Sequence, residues 1–339
     1  MKRYFKTGSI LLSIALLAIF MAQVDFILLW EKLRLLKWKF LFIILTPGLG
    51  YWLATLAWRH CFPQGKVQPS LYRLFMIRHL GESLALINPT NIIAGESSKA
   101  VLLHKEGVPY KTGIVSLVLS RTLLILSHIL LLVVLCLYLF YTSEMPPSLW
   151  LQVGLLALSL ALSIVFFHTI THRKLWLYRA YCQLAKRLTF LGKSNQKIKQ
   201  INREMSRFYR EQQSHLFWAF GYSALHWCIG ALEFYLIFWF LEVPIGYEQA
   251  LFIELGVMIF KSLGSFVPGQ IGVEEYGNLF MLNLLSYQSS ELWLAISLIR
   301  RGRQVFWLII SVFIGWSFFR KSKGKIVLHK PLSHQFSKT

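Results

Sequence analysis

Two adjacent carboxylates, Glu274 and Glu275, lie in an apolar stretch of the sequence at residues 260–283. Helix-breaking residues precede them at Pro268, Gly269 and Gly272. Lipid offers a free backbone no hydrogen-bond partners, so a broken helix is stable at membrane depth only where protein or a polar cavity surrounds it. Carboxylates in such a place typically bind a cation, exchange a proton or repel the wrong ligand. Their alternative role is to cap the positive end of the half-helix that begins here.

A second stretch, residues 86–103, has the same plan in the other half of the chain, with Pro89, Gly95, Glu96 and Lys99. Two Gly/Pro-broken hydrophobic segments in corresponding halves are the best sequence pointer to the binding site of a transporter. The sequence therefore predicts two broken, re-entrant segments, and it allows an inverted repeat. Glu96 and Lys99 lie three residues apart on one helix face, where they would form an internal ion pair or face the same cavity as the other break.

Further ionisable residues lie inside apolar runs, where a charge near the bilayer centre costs at least about 2.5–3.5 kcal/mol. Three pairs are seven residues apart and so share a helix face: Arg121 with His128, His226 with Glu233, and Glu254 with Lys261. For Glu233 and Arg121 we predict a cavity-facing role, because full charges add little as glue between membrane helices. For His128 and His226, a cavity-facing role and pairing between helices both stay open.

Composition indicates a protein with several membrane spans. The chain has 339 residues, of which 55% are hydrophobic and 15% aromatic. Its formal charge of +21 comes mainly from basic residues that flank apolar runs. That arrangement is typical of positive-inside topology and of contact with anionic headgroups, so no nucleic-acid partner is expected. The four cysteines are isolated, without a CxxC motif or a Cys/His pair at metal-ligand spacing, so neither a metal nor another cofactor is expected.

The apolar runs predict an all-α transmembrane bundle with about six to eight membrane segments. An uncleaved first span should end near Trp30. Further spans are expected at 40–58, 113–141, 149–170, 216–241 and 292–319. The regions 74–98 and 250–287 have short or broken apolar stretches, so whether they cross or re-enter stays open.

Loop charges orient the chain and divide it into domains. Residues 171–213 hold eleven Lys and Arg against two Glu, which predicts a cytoplasmic amphipathic loop. The basic tail at 320–339 is expected to be cytoplasmic for the same reason, and the transmembrane domain would then span 1–319. The basic segment 31–39 disagrees with this orientation. Its leucines and tryptophan predict a helix in the headgroup layer, and its topology stays open.

Three stretches taken in order resemble one family of membrane proteins: NPTNIIAGESSKAVLLHKEGVPYKTGIVSLVLSRTLLIL, KSLGSFVPGQIGVEEYGNLF and SLIRRGRQVFWLIISVFIGW. They are similar to the flippase-like integral membrane family typified by the transmembrane part of lysylphosphatidylglycerol synthase. The family's pattern maps onto Gly95, Glu96, Pro268, Gly269, Gly272, Glu274 or Glu275, and Arg300 or Arg301. The chain departs from it at Lys99, where the family usually has arginine, and we expect no soluble synthase domain.

The resemblance implies movement of a lipid or a lipid-linked headgroup between the leaflets of a bacterial inner membrane. Two broken helices near midplane would suit an anionic phospholipid or a polyprenyl-linked lipid whose tails stay in the bilayer. Because guanidinium and ammonium groups bind phosphate, the expected headgroup ligands are Arg121, Arg300, Arg301 and Lys99. Gating or proton coupling is expected of Glu96, Glu233, Glu274 and Glu275.

Two other functions stay open. An integral-membrane enzyme that modifies a polyprenyl or phospholipid substrate would usually carry clustered Asp or His for a metal or a general base. Asp25 is the one aspartate of this chain, which has neither a DxD motif nor a nucleotide-binding loop, so we expect no enzyme activity and no catalytic residues. A non-catalytic scaffold for enzymes of envelope-lipid synthesis would require the buried charges to pair with each other, away from any pocket.

Overall fold

The computed structural model describes residues 27, 34, 36–63, 65, 67–87, 91–142, 195–265 and 267–326. Within these residues the chain is all-helical, as predicted, with no strand. The α-helices are α1 (Phe40–Arg59), α2 (Leu71–Ile87), α3 (Asn91–Lys105), α4 (Tyr110–Tyr141), α5 (Asn195–Glu211), α6 (Gln213–Phe240), α7 (Tyr247–Leu263), α8 (Val273–Leu284) and α9 (Ser290–Ile326). Short 3-10 turns lie at Lys37–Lys39 and Pro268–Gln270.

Three helical segments are long and apolar enough to cross a membrane: Lys37–Arg59, Tyr110–Tyr141 and Gln213–Phe240. They correspond to the predicted spans 40–58, 113–141 and 216–241. At most half of the apolar stretch of each is buried inside the protein. Their remaining apolar faces are available to lipid, as a membrane bundle requires.

Helix α9 contains the predicted span 292–319, but its apolar run is interrupted by Arg300, Arg301 and Arg303, all of which are buried. Burial of these charges shows that this helix positions polar groups as well as apolar ones. The helix continues to Ile326, so the tail predicted from residue 320 begins as a helix. The predicted first span, the span 149–170, most of the loop 171–213 and residues 327–339 lie outside the described residues.

Helix α5 is the described part of the predicted amphipathic loop. Its Met205 and Phe208 are buried in a cluster with the ends of α1, α3 and α6. Its Arg207 and Glu211 are exposed and form an ion pair. The helix is therefore anchored to the bundle by an apolar face, while its charges face outward.

The same order of helices occurs twice in the described chain. Helices α1 to α4 contain 20, 17, 15 and 32 residues, and α6 to α9 contain 28, 17, 12 and 37. In each set the two short middle helices pack against each other, α2 on α3 and α7 on α8. An internal repeat would give this order, and such a repeat stays a prediction. An inverted orientation of the two halves stays a prediction.

The first short pair, α2 and α3, corrects one prediction. Gly95 lies within the continuous helix α3, so the prediction that Gly95 breaks a helix is wrong. Its physical role is close packing, because a Cβ at this position would lie 2.8 Å from both the Ala85 Cβ and the Gly81 carbonyl oxygen. A glycine inside an apolar segment has the same sequence signature in either role. Pro89 lies outside the described residues.

A methyl group at Gly95 should therefore separate α2 from α3. We expect Gly95→Ala to destabilise the protein by about 1–3 kcal/mol, because overpacking forces the backbone to shift. Gly221 of α6 is the matched control, since a Cβ there meets nothing within 4 Å. Gly221→Ala should be neutral or stabilising by roughly 0.4–1 kcal/mol. Thermal unfolding of both variants in detergent measures the difference, and equal Tm values would contradict the close packing.

The second short pair is separated by the break that the sequence predicts at Pro268, Gly269 and Gly272. Helix α7 ends at Leu263 and α8 begins at Val273. Gly269 and Gly272 have φ values of 65° and 78°, which favour glycine because a Cβ is strained there. The Gly272 amide donates to Glu275 Oε2 at 2.8 Å and so caps α8. This segment brings the two adjacent carboxylates to the start of α8.

Candidate functional site

A cavity of about 420 Å³ with charged residues in its wall lies among α1, α2, α4, α6, α7 and α9 and reaches the break at Gln270. Its charged lining residues are Arg78, Glu82, Arg121, Glu233, Glu254, Lys261, Arg300 and Arg303. Five cations and three carboxylates give this described wall a net formal charge of +2. A positive cavity between membrane helices is suited to an anionic group.

Arg300 is the centre of the charge cluster on the α9 side of the cavity, and it is 2% exposed. Its Nε donates to Glu274 Oε1 at 2.9 Å, and its Nη1 donates to Glu254 Oε2 at 3.0 Å. Glu233 Oε2 lies 3.7 Å from the same Nη1. The guanidinium also lies 4.2 Å from the centre of the Phe234 ring, a cation–π distance. Arg300 thus joins α9 to α6, α7 and α8.

The carboxylates around Arg300 have further cationic partners. Glu274 accepts a hydrogen bond from Lys261 Nζ at 3.1 Å and another from Gln304 Nε2. Glu233 Oε1 lies 2.9 Å from Arg303 Nε, in an ion pair without hydrogen-bond alignment. The predicted cavity-facing position of Glu233 agrees with this arrangement, since Glu233 lines the cavity wall.

Arg301 ties α9 to the break itself. Its Nε and Nη2 donate to the two oxygens of Glu275 at 2.5 and 2.8 Å. Its Nη1 donates to the Gly269 carbonyl at 2.9 Å, and Nη2 also donates to the Gln270 carbonyl at 3.1 Å. This fork satisfies carbonyl oxygens that the interrupted helix leaves free. Arg300 and Arg301 therefore have protein acceptors, and their role as headgroup ligands stays a prediction.

A second charge cluster lies where α2, α3 and α4 meet. Lys99 Nζ donates to Glu82 Oε1 at 2.6 Å and to Glu96 Oε1 at 2.9 Å. Of the two predicted arrangements for Glu96 and Lys99, the internal ion pair is therefore present. Arg78 and Arg121 also face Glu82 Oε1, each with Nη1 at 3.9 Å. Residues of both halves of the chain thus place charges around one cavity.

A family model of the lysylphosphatidylglycerol synthase transmembrane region matches residues 7–312. The chain belongs to this family. The match includes both helix sets and both charge clusters, and it confirms the resemblance found in the sequence. It identifies a multi-pass membrane protein of lipid metabolism or transport. Neither a curated protein nor a solved structure matches the chain.

In this member of the synthase-region family, three cavity histidines connect helices. His226 Nδ1 lies 2.8 Å from the Gly50 carbonyl, and His128 Nε2 lies 2.9 Å from the Leu255 carbonyl. His79 Nε2 lies 3.1 Å from the Trp307 carbonyl. Each ring donates to a backbone oxygen of another helix, so His128 and His226 join helices while lining the cavity. For these two histidines, a position facing the cavity and a contact between helices therefore occur together.

Two charged residues of the cavity wall, Arg78 and Glu82, were not predicted from the sequence. They lie four residues apart on α2 and so share one helix face. The argument that identified Arg121, a charge within an apolar run, is weaker for them, because the apolar stretches of 74–98 are short and whether this region crosses or re-enters stays open in the sequence. Within the described residues, no three His, Cys, Asp or Glu side chains are grouped as a metal site.

Proposed function

We propose that this protein moves lipids with anionic headgroups between the leaflets of a bacterial inner membrane, with its carboxyl terminus in the cytoplasm. The observation that carries the proposal is the cavity whose described wall combines five cations with three carboxylates among lipid-facing helices. Ionisable groups at membrane depth mark substrate or ion pathways by default, because their burial is costly.

The cavity supports passage of the headgroup while the acyl or polyprenyl tails stay in lipid. Its volume, about 420 Å³, lies within the range of roughly 300–1,000 Å³ that is usual for small-molecule sites. Ile125 lines the cavity and is also half-exposed on α4. Arg121, one helical turn away, is one-third exposed. The wall beside α4 is therefore the side from which a lipid headgroup would enter.

The two short helix pairs, α2 with α3 and α7 with α8, would be the hairpins that move during transport. Carboxylate–arginine pairs tie α8 and the break to α9, and Lys99 ties α3 to α2. We assign gating or proton coupling to four carboxylates, because protonation of each would weaken its ion pair with a lysine or arginine of another helix or of the same helix. They are Glu96, Glu233, Glu274 and Glu275. Re-entry of both hairpins and an inverted relation of the two halves would give alternating access to the cavity.

We propose no enzyme activity, and we do not favour a scaffold. A scaffold would pair its buried charges away from any pocket, whereas Arg78, Glu82, Glu233 and Arg303 line the cavity. A larger groove, of about 610 Å³, lies along α5. It is lined by exposed pairs such as Arg207 with Glu211. Buried charges at membrane depth are the stronger indication of a substrate pathway, so the groove supports the proposal less than the cavity among the helices does. Enzymes of envelope-lipid synthesis remain proposed partners.

The function is tested by dithionite bleaching of fluorescent phosphatidylglycerol and of a short-chain polyprenyl phosphate analogue in proteoliposomes. Wild-type protein should allow bleaching beyond the outer leaflet for at least one probe. Ile125→Trp should slow this exchange on the order of tenfold, a barrier increase of about 1.4 kcal/mol, by narrowing the cavity mouth.

Val134→Trp is the matched control, because Val134 is exposed on the same helix and does not line the cavity. It should exchange lipid at the wild-type rate. Folded wild-type protein that moves neither probe would contradict lipid translocation. Equal slowing by both tryptophan variants would contradict the cavity as the route. Mass spectrometry of the recovered lipids should show unchanged probes, whereas a modified product would favour the enzyme.

A further inference from the structure

Three cations converge on one carboxylate oxygen in the wall of the cavity. Lys99 Nζ lies 2.6 Å from Glu82 Oε1, within hydrogen-bond distance. The Nη1 atoms of Arg78 and Arg121 each lie 3.9 Å from the same oxygen. A distance of 3.9 Å is too long for a hydrogen bond. Glu82 therefore attracts both arginines without satisfying their donors.

Arg78 is the clearest sign that this cluster is incomplete. Its side chain lines the cavity, the residue is only 8% exposed, and its buried Nε has no hydrogen-bond partner within the part of the chain that the structure describes. A buried charged donor without an acceptor is costly, so such a group is expected to have a ligand. Among the described carboxylates, Glu82 is the one within 4 Å of its guanidinium, with Oε1 at 3.9 Å from Nη1.

The other side of the cavity is different. Arg300 donates two hydrogen bonds to carboxylates, and Arg301 donates to both oxygens of Glu275 and to two carbonyls. Those guanidinium groups are used to hold the helices together. Around Glu82, three cations face two carboxylates, Glu82 and Glu96, and the two arginines keep unused donors. Arg303 of the α9 side also lacks an aligned hydrogen bond, but a carboxylate oxygen of Glu233 already lies 2.9 Å from its Nε. The arginines of the described cavity wall without a carboxylate this close are therefore those of α2 and α4.

We propose that the phosphate of the transported lipid binds between Arg78 and Arg121, and that Glu82 is a tethered competitor that holds the two arginines when the site is empty. A tetrahedral phosphate presents several oxygens, so it can accept from two guanidinium forks where one carboxylate oxygen cannot. This inference deepens the proposed function and rests on it for a lipid, rather than free phosphate, as the source.

Lys99 acts differently from its predicted role as a headgroup ligand. It is 3% exposed and is absent from the cavity wall. Its stem crosses α2 at Gly81, where a Cβ would lie 2.5 Å from the Lys99 Cγ. Lys99 thus fixes the position of Glu82 from the side that faces away from the cavity. Its single ammonium group suits this task, whereas the two arginines face the cavity with forked donors.

The depth of the two arginines gives an order of contact. The Arg121 side chain is one-third exposed beside the half-exposed Ile125, whereas Arg78 is buried. An entering phosphate would therefore meet Arg121 first and Arg78 second. As it binds, it would displace Glu82 from the arginines, while Lys99 retains that carboxylate.

The site is tested by calorimetric titration of the protein in an uncharged detergent. The probe is dihexanoyl phosphatidate, with dihexanoylglycerol as the lipid without phosphate and inorganic phosphate as the anion without lipid. We expect phosphatidate to bind at least tenfold more tightly than dihexanoylglycerol. Arg121→Gln should weaken phosphatidate binding about tenfold, because it removes a charge-assisted, forked contact.

Three further variants separate the phosphate site from general charge effects. Glu82→Gln should tighten phosphatidate binding several-fold, because it removes the competing carboxylate. Arg207→Gln removes an exposed arginine of α5 and should leave binding unchanged. Arg78→Gln should weaken phosphatidate binding as much as Arg121→Gln does. Arg78 is buried, so its substitution could also disturb the packing of the helices, whereas Arg121 is one-third exposed and its substitution should not. Wild-type affinity for phosphatidate in folded Arg121→Gln and in folded Arg78→Gln would overturn the proposal.

The three ligands and the proteoliposome assay distinguish the separate claims. Inorganic phosphate that binds as tightly as phosphatidate, with the same loss in Arg121→Gln, would support the arginine site and overturn a lipid as its source. Phosphatidate binding that depends on Arg121, in a protein that moves no lipid, would support the site and contradict translocation. Normal movement of fluorescent phosphatidate by Arg121→Gln and Arg78→Gln would overturn the site and leave translocation intact.

Discussion

Replacement of Arg300 by methionine should destabilise the protein by about 3–5 kcal/mol, the usual cost of removing one partner from a buried ion pair. Three carboxylates, Glu233, Glu254 and Glu274, lie within 4 Å of its guanidinium. Glu274 keeps Lys261, and Glu233 keeps Arg303, but Glu254 has no other ion-pair partner within that distance among the described residues. The uncompensated charge, rather than the lost contact itself, causes most of the expected loss.

Cys61 and Cys136 are buried, so we expect their thiols to become reactive toward a maleimide dye on unfolding, and this reaction provides the measurement. The Tm of Arg300→Met in detergent should fall well below that of Arg207→Met, which removes an exposed arginine from an ion pair with Glu211. Adding Glu254→Gln to Arg300→Met should recover part of the loss, because the orphaned charge is removed. An Arg300→Met protein as stable as Arg207→Met would contradict the central position of Arg300.

Local chain features predicted the break between α7 and α8 well. Pro268, Gly269 and Gly272 act through backbone geometry, and two of the three adopt φ values that other residues avoid. The same features failed at Gly95, because a glycine that breaks a helix and a glycine that lets two helices approach look alike in sequence. Only the position of Ala85 across the helix pair decides between them.

Partners of the charged residues could not be predicted from spacing. The sequence identified Glu274 and Arg300 separately, but their hydrogen bond joins residues 26 positions apart on different helices. From the expected burial of Glu274 and Arg300 it follows only that each charge needs a partner or a cavity. Arg78 was missed for a related reason, since its helix α2 is short and rich in polar residues. Such a helix is recognisable only once α1, α3 and α9 pack around it.

The two halves of the chain use their charges in different ways. Around the break between α7 and α8, Arg300 and Arg301 have carboxylate and carbonyl acceptors at 2.5–3.1 Å. Around Glu82, the arginine contacts lengthen to 3.9 Å. Tight pairs stabilise one conformation, whereas loose pairs exchange partners at little cost. This asymmetry is why we assign ligand binding to the first half, and to the second half the contacts that hold the helices in one arrangement until a gating carboxylate is protonated.

Arg301→Lys should destabilise the break and the start of α8 by about 2–4 kcal/mol, because lysine cannot reproduce the fork that binds Glu275 together with two carbonyls. The charge is kept, so the loss reports hydrogen-bond geometry. Hydrogen–deuterium exchange should rise across residues 267–276, while the amides in the middle of α4 and α6 keep their protection.

Arg207→Lys is the matched control for this geometric effect. Arg207 donates to both oxygens of Glu211, but the pair is exposed and lies on α5, so its loss should change the free energy of unfolding by less than about 0.5 kcal/mol. If Arg301→Lys leaves exchange at the break as slow as in wild type, the fork does not hold the break. The glycine conformations and the Glu275 cap would then be sufficient to fix it, and Arg301 would be available for a ligand.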